Sequence, residues 1–237
     1  GQFAFRQGSG EWTSAISPKT AVVQGGSKGI EFDLVVPETP LPVSGRIAGI
    51  TYNMDIPIGA AQDEQSFDLA WAMQGLTLPE TVWSMFDTIG ALDRSPLDLA
   101  LNLSGAGVLG VNLFDLEQMG NEIDPTEIGQ LNSLALNNLT IAGLGARLLG
   151  QGEFTLDNND LSTFDGFPRP EGRVTFTITG LNKALDDLVR SGLVPSDQVF
   201  MGRMMMGAFL TPTGDDELTS DLEVKSDGSV YANGQRL

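Results

Sequence analysis

Apolar residues alternate with polar or small ones along most of this chain. Phe3 and Phe5 flank Ala4, and Ala21 and Val23 follow. Phe32, Leu34 and Val36 come next, then Ile50, Tyr52, Met54 and Ile56. Phe67, Leu69, Trp71 and Met73 form one strong alternating run, and Leu97, Leu99, Leu101 and Leu103 another. A period of two is the signature of strands with one buried face. Gly8 and Gly10, Gly25-Gly26, the Pro37–Pro42 segment, the Pro57–Gln65 segment and Gly105 break these runs. Short strands separated by Gly/Pro turns predict a long antiparallel meander. Pro37, Pro40 and Pro42 cannot donate ladder hydrogen bonds, which puts their segment at an edge or a crossover.

The period changes twice. Val174, Phe176 and Ile178 alternate with threonines up to Gly180. Leu181, Leu185, Leu188 and Val189 then share a helical face that ends at Gly192, predicting a helix over 181–191. Leu144–Leu193 is thereby the best-defined unit, reading strand, strand, turn, strand, helix. Earlier, Pro79 suits a first helical turn, and Val82, Met85, Phe86 and Ile89 line one face before Gly90, predicting a helix over 79–90. Strand 67–74, Gly75-Leu76, helix, Gly90 and strand 97–104 therefore mirror strand 173–179, Gly180-Leu181, helix, Gly192 and strand 218–225. The second copy carries an insertion from Pro195 to Glu217.

Between the copies, Leu109, Val111 and Leu113 read as a strand, and Asp115 to Gln130 as mixed structure with short helical turns around Leu116 and Pro125. Leu134 and Leu136 have one parity, Leu139 and Ile141 the other, so Asn137-Asn138 must bulge or turn. Ser196 is a candidate N-cap for a helix from about 197 to 208, which carries Val199, Phe200, Met201 and Met204-Met205-Met206. Core filling is the ordinary role of such methionines; an adaptable ligand surface is the other. Asp215-Asp216-Glu217 reads as an exposed turn, and Asp227-Gly228 as a hairpin. The expected fold is α+β, predominantly antiparallel β. One long curved sheet has a few short helices packed on one face, in a single elongated domain over 1–237, divisible by the repeat into halves 1–113 and 114–237.

Composition excludes much chemistry. With Lys+Arg 13 against Asp+Glu 31 the net charge is -18, which repels nucleic acid and anionic membrane surfaces. The absence of Cys and His removes disulfides, thiol nucleophiles, Ser-His-Asp triads and Cys/His zinc sites. A chain without thiols fits the cell envelope. No apolar run is long enough to span a membrane, and no signal segment stands at Gly1. An exported protein would have lost its targeting segment, and the start and end read as a processed or truncated piece.

Asp157, Asn159, Asp160 and Asp165 cluster in a loop without the spacing of a calcium-binding EF-hand; a plain turn is the ordinary reading, and calcium stays open. Glu80 and Asp87 lack a partner for acid/base work. Ser9 and Ser104 lack a base, and Gly105-Ala106-Gly107 leads into strand instead of helix, unlike a nucleotide loop. No catalytic residue, metal or cofactor is expected.

Several motifs carry a resemblance. These are Gly150-Gln151-Gly152-Glu153-Phe154-Thr155-Leu156-Asp157, Arg169-Pro170-Glu171-Gly172-Arg173-Val174, Thr179-Gly180-Leu181 with Gly192-Leu193, and the closing Lys225 to Gly234. Together, over about residues 67 to 237, they resemble an uncharacterised family of alphaproteobacterial envelope proteins, distantly similar to the AsmA-like group. The resemblance implies a periplasmic location and, by analogy, lipid handling or outer-membrane maintenance, and carries no catalytic residues over. The expected function is a non-enzymatic envelope protein that binds lipid or another apolar ligand in the concave face of its sheet. Trp71, Trp83, Phe86, Phe200 and Met204 are the candidate lining. The alternative is a structural or assembly subunit holding an envelope protein partner.

Overall fold

The computed structural model describes residues 2–35, 43–115 and 128–237. Strand dominates. The elements are β1 (Gln2–Arg6), β2 (Ser9–Ile16), β3 (Thr20–Val35), β4 (Val43–Pro57), β5 (Gln65–Leu76), α1 (Glu80–Trp83), β6 (Leu97–Leu109) and β7 (Gly129–Gly143). There follow β8 (Ala146–Asp157), β9 (Arg169–Thr179), α2 (Leu181–Arg190), α3 (Ser196–Met206), β10 (Thr211–Gly214), β11 (Glu217–Val224), β12 (Val230–Ala232) and β13 (Gln235–Arg236). All strands join one open antiparallel sheet in the order β1-β3-β4-β5-β6-β7-β8-β9-β11-β12-β13, with β2 on β3 and β10 on β11.

The expected meander is present, with longer strands than the glycines suggested. β3 runs unbroken through Gly25-Gly26, and β6 continues past Gly105 to Leu109. These glycines make room instead of breaking the strand. A Cβ on Gly25 would lie 2.6 Å from the Tyr52 hydroxyl, and one on Gly105 would lie 2.7 Å from the Phe67 ring. Tyr52 and Phe67 are their cross-strand partners, as Phe32 is for Gly45 and Phe176 for Gly150. In each pair an aromatic ring covers the gap that the glycine leaves.

The bulge at Asn137-Asn138 is where the parity change requires it. Leu136 pairs with Leu103 and Leu139 with Leu101, with the register shifting between them. Asn137 bonds Asn102 Oδ1 at 2.9 Å and Ser104 Oγ at 2.8 Å, so the extra residue keeps four leucines on one face.

Four further expectations are corrected. The helix over 79–90 is only Glu80–Trp83. Beyond it the chain tightens to i→i+3 bonds at Met85 and Phe86, and the Asp87 carboxylate takes the N–H groups of Ala91 and Leu92. Val111 and Leu113 lie outside the sheet in a turn, where the Leu113 N–H bonds the Ile58 carbonyl at 2.8 Å. Asp216 does not simply sit in an exposed turn; it is half-buried and bonds the start of α2. The helix expected over 197–208 is α3, Ser196–Met206; Ser196 is its first residue and not its N-cap, a place taken by Pro195 without a side-chain cap. The expectations for Val36, Pro37, Pro40 and Pro42, and for the turns around Leu116 and Pro125, fall outside the described residues. The three helices named above lie in connections at one end of the strands, between β5 and β6 and between β9 and β11. Among the described residues only eight apolar side chains are buried, none larger than Ile30, Ile58 or Leu92, so no second layer among them encloses a large core.

Candidate functional site: an open apolar sheet face

Cα partners in neighbouring strands share a face, so the ladder defines rows of side chains across the sheet. The middle row reads Trp12, Gly25, Tyr52, Trp71, Leu101, Leu139, Gly150 and Phe176. On one side of it lie Met54, Leu69, Leu103, Leu136, Val174 and Leu222, and on the other Ile50, Met73, Leu99, Ile141, Leu148 and Ile178. The opposite face is polar. Asn53 bonds Asp68 at 3.2 Å, and Arg173 reaches both Asp221 and Glu223 at 3.3 Å.

Among the described residues nothing is packed over this apolar face. Trp71 is 41% exposed, Leu101 38% and Ile141 46%, values foreign to a packed core. The chain exposes 14705 Å², where a compact monomer of 25.2 kDa exposes about 10,300 Å². The surplus of roughly 4,000 Å² is several times the ~800 Å² that each partner gives to a standard interface. From β4 to β11 the rows run about 30 Å, at the usual strand spacing of 4.7–4.9 Å.

The candidate lining residues fall into three groups. Trp71 is in the middle row. Trp83 and Phe86 pack on each other at the strand end, with ring centroids 5.2 Å apart and Arg94 over Trp83 at 5.7 Å. Phe200 and Met204 project outward from α3, 64% and 67% exposed, beside Met201 and Met205. The basic residue of α3 turns inward instead: Arg203 bonds the Asn182 carbonyl at 2.9 Å and Asp186 at 2.8 Å.

Carboxylates at the strand ends are engaged in structural bonds. Arg169 holds Asp157 at 2.8 Å and Asp160 at 3.0 Å. Thr163 and Ser162 also donate to Asp160, and the Thr163 bonds, the strongest influence, bring its pKa down to about 2. Asp187 is buried and paired with Lys183 and Arg190, whose bonds hold its carboxyl below the ordinary range. Burial alone would raise the pKa of Asp87, but the Leu92 and Ala91 N–H groups and Arg94 outweigh it and leave the carboxyl lowered. Among the described residues no group of three or more Asp or Glu is placed to hold a metal.

Sequence reasoning identified the apolar face strand by strand but missed Leu101, Leu139 and Phe176 as parts of a surface. Their alternation was visible, whereas the lack of anything packed on them was not. No helix among the described residues is long and apolar enough to cross a membrane.

No curated protein and no solved structure matches the chain. A family model does, described as "Uncharacterized protein conserved in bacteria (DUF2125)", and it spans residues 24–237. This match takes in β4 and most of β3, well before residue 67 where the resemblance read from the sequence begins, and it covers the whole apolar face except Trp12. The chain belongs to this family of uncharacterised bacterial proteins.

Proposed function

We propose that the protein is a non-enzymatic carrier or holder of apolar chains, which lie across the strands on the open face centred on Trp71, Leu101 and Leu139. The supporting observation is the exposure of that face in mid-sheet. Apolar area left in water is unfavourable by about 25 cal/mol per Å², so its coverage is strongly driven. A row of about 30 Å matches the thickness of a bilayer's hydrocarbon core, long enough for an extended acyl chain. The acidic charge favours uncharged or zwitterionic lipids over anionic ones. A site in the cell envelope fits the absence of cysteine, the strand–helix repeat would be scaffold, and kinship with AsmA-like proteins would be in keeping with this role.

The test uses the tryptophans. With Trp12 and Trp83 replaced by Phe, Trp71 alone remains of the three. Phospholipids brominated on the acyl chain should quench its fluorescence, and native mass spectrometry of gently purified protein should show lipid adducts. Unquenched Trp71 together with an adduct-free protein would overturn the reading. A second reading, assembly with another polypeptide, is favoured by one observation, the unguarded edge at β2.

A further inference from the structure

The two lateral edges of the sheet are guarded unequally. On one side β11 is followed by β10, which contains Pro212, and by β12 and β13, strands of 3 and 2 residues. Proline and short strands are how sheets avoid accepting further strands. On the other side β2 has 8 residues, every one exposed, with neither Lys nor Pro. Trp12 and Ile16 on it are 68% and 66% exposed.

The backbone of β2 is also set for pairing. The Ser17 N–H donates to the Thr20 carbonyl at 2.9 Å, which closes the β2–β3 hairpin and fixes the alternation of its ladder. Odd residues from Ser9 to Ala15 therefore turn their N–H and C=O groups toward β3. Those of Gly10, Trp12, Ser14 and Ile16 point outward. The same four residues carry the apolar face to the edge, since Trp12 is in register with Gly25 and Ser14 with Val23.

We propose that β2 pairs antiparallel with β2 of a second copy, about a two-fold axis at Thr13, joining two sheets into one. Centred there, Gly10 faces Ile16 of the second copy and Trp12 faces its Ser14, so large residues meet small ones on the apolar side. All four outward residues of each strand are used, for about eight hydrogen bonds. Centring on Trp12 or Ser14 leaves residues unpaired and gives about six, and centring on Glu11 sets two carboxylates opposite each other. The interface is independent of lipid binding and leaves the apolar face open.

The test uses the full chain, which contains no cysteine, so that one introduced thiol reports alone. Thr13 would face its own copy in a non-hydrogen-bonded pair with Cα atoms about 4.5 Å apart, within disulfide range. Sedimentation should give twice the monomer mass, and Thr13→Cys should oxidise to a covalent dimer while Glu11→Cys, opposite Ala15, should not. Ser14→Pro removes only an outward N–H and should give a folded monomer with unchanged circular dichroism. A monomeric parent at tens of micromolar, a dimer indifferent to Ser14→Pro, or equal cross-linking of the two cysteine variants would overturn the proposal.

Discussion

The carboxylate of Asp216 accepts the backbone N–H of Asn182 at 2.9 Å, and that of Lys183 at 3.0 Å. Asp216 thus caps a helix whose second residue, Asn182, lies 34 positions before it. Gly180 occupies the N-cap in a left-handed conformation, φ 72, and has no side chain to do this itself. The Gly180 N–H also bonds the Asp216 carbonyl at 2.9 Å, so one residue ties the start of α2 to the start of β11.

Asp216→Ala should cost about 1 kcal/mol of unfolding free energy, the usual value of a lost N-cap, with little change in denaturant slope. Burial would raise this carboxyl's pKa, but the bonds from Lys183 and Asn182 outweigh it and leave it lowered. A folded-state pKa below the unfolded one gives stability that is present above about pH 4 and lost as pH falls through the folded value. The gap between the parent and Asp216→Ala in urea denaturation should therefore narrow from about pH 6 to about pH 3.

Asp160 offers a second acid-linked measurement. Its pKa of about 2 rests first on the hydroxyl and backbone N–H of Thr163. Carbon-detected carboxyl NMR should place the parent's titration there, and Thr163→Val should move it up toward the ordinary 3.8. The stabilisation from this group is complete above about pH 4 and disappears as pH drops through about 2. An Asp160 that titrates alike in both proteins would show that Thr163 does not set its pKa.

Two glycines separate backbone strain from steric exclusion. Gly180 and Gly192 both have left-handed φ, 72 and 79. A Cβ on Gly180 would lie 2.2 Å from the Gly145 carbonyl oxygen, whereas one on Gly192 meets nothing within 4 Å. Each Ala substitution costs about 1–2 kcal/mol for the conformation, and only Gly180→Ala adds a clash with the β7–β8 turn. Chemical denaturation should rank Gly180→Ala clearly below Gly192→Ala. Faster amide exchange near Ala146 should accompany the first alone.

On the apolar face, Leu101→Asp and Ile141→Asp replace side chains that are already over a third exposed. The stability loss should be on the order of 1 kcal/mol, while binding of a fluorescent zwitterionic lipid falls several-fold. Thr140→Asp, one residue away and pointing to the polar face in register with Ala100 and Leu149, should leave lipid binding unchanged. Equal effects at 140 and 141 would deny the two faces different roles.

Much of this architecture is local and therefore readable from the sequence. The opposed parities of Leu136 and Leu139 require the bulge at Asn137-Asn138, and Asp227-Gly228 does join β11 to β12. Gly25-Gly26 misled because the reason for glycine there lies on other strands, in Tyr52 and Trp12. The Asp216 cap was hidden for the same reason: its partners are distant in sequence. Period-two alternation shows which face is apolar, but not whether anything lies on it. That is why Trp71 was legible as a candidate and the exposure of Leu101 and Ile141 was not.

From β3 to β9 every strand pairs with its neighbour in sequence, and no large buried core links strands that are far apart. Stability in such a chain approximates a sum over adjacent pairs, as in repeat arrays, and cooperativity weakens accordingly. Melting should begin at the β2 and β13 margins and move inward, so the calorimetric enthalpy should exceed the van't Hoff value. Amide protection should peak in β6–β8, and an occupant spanning many strands should merge these steps into one transition.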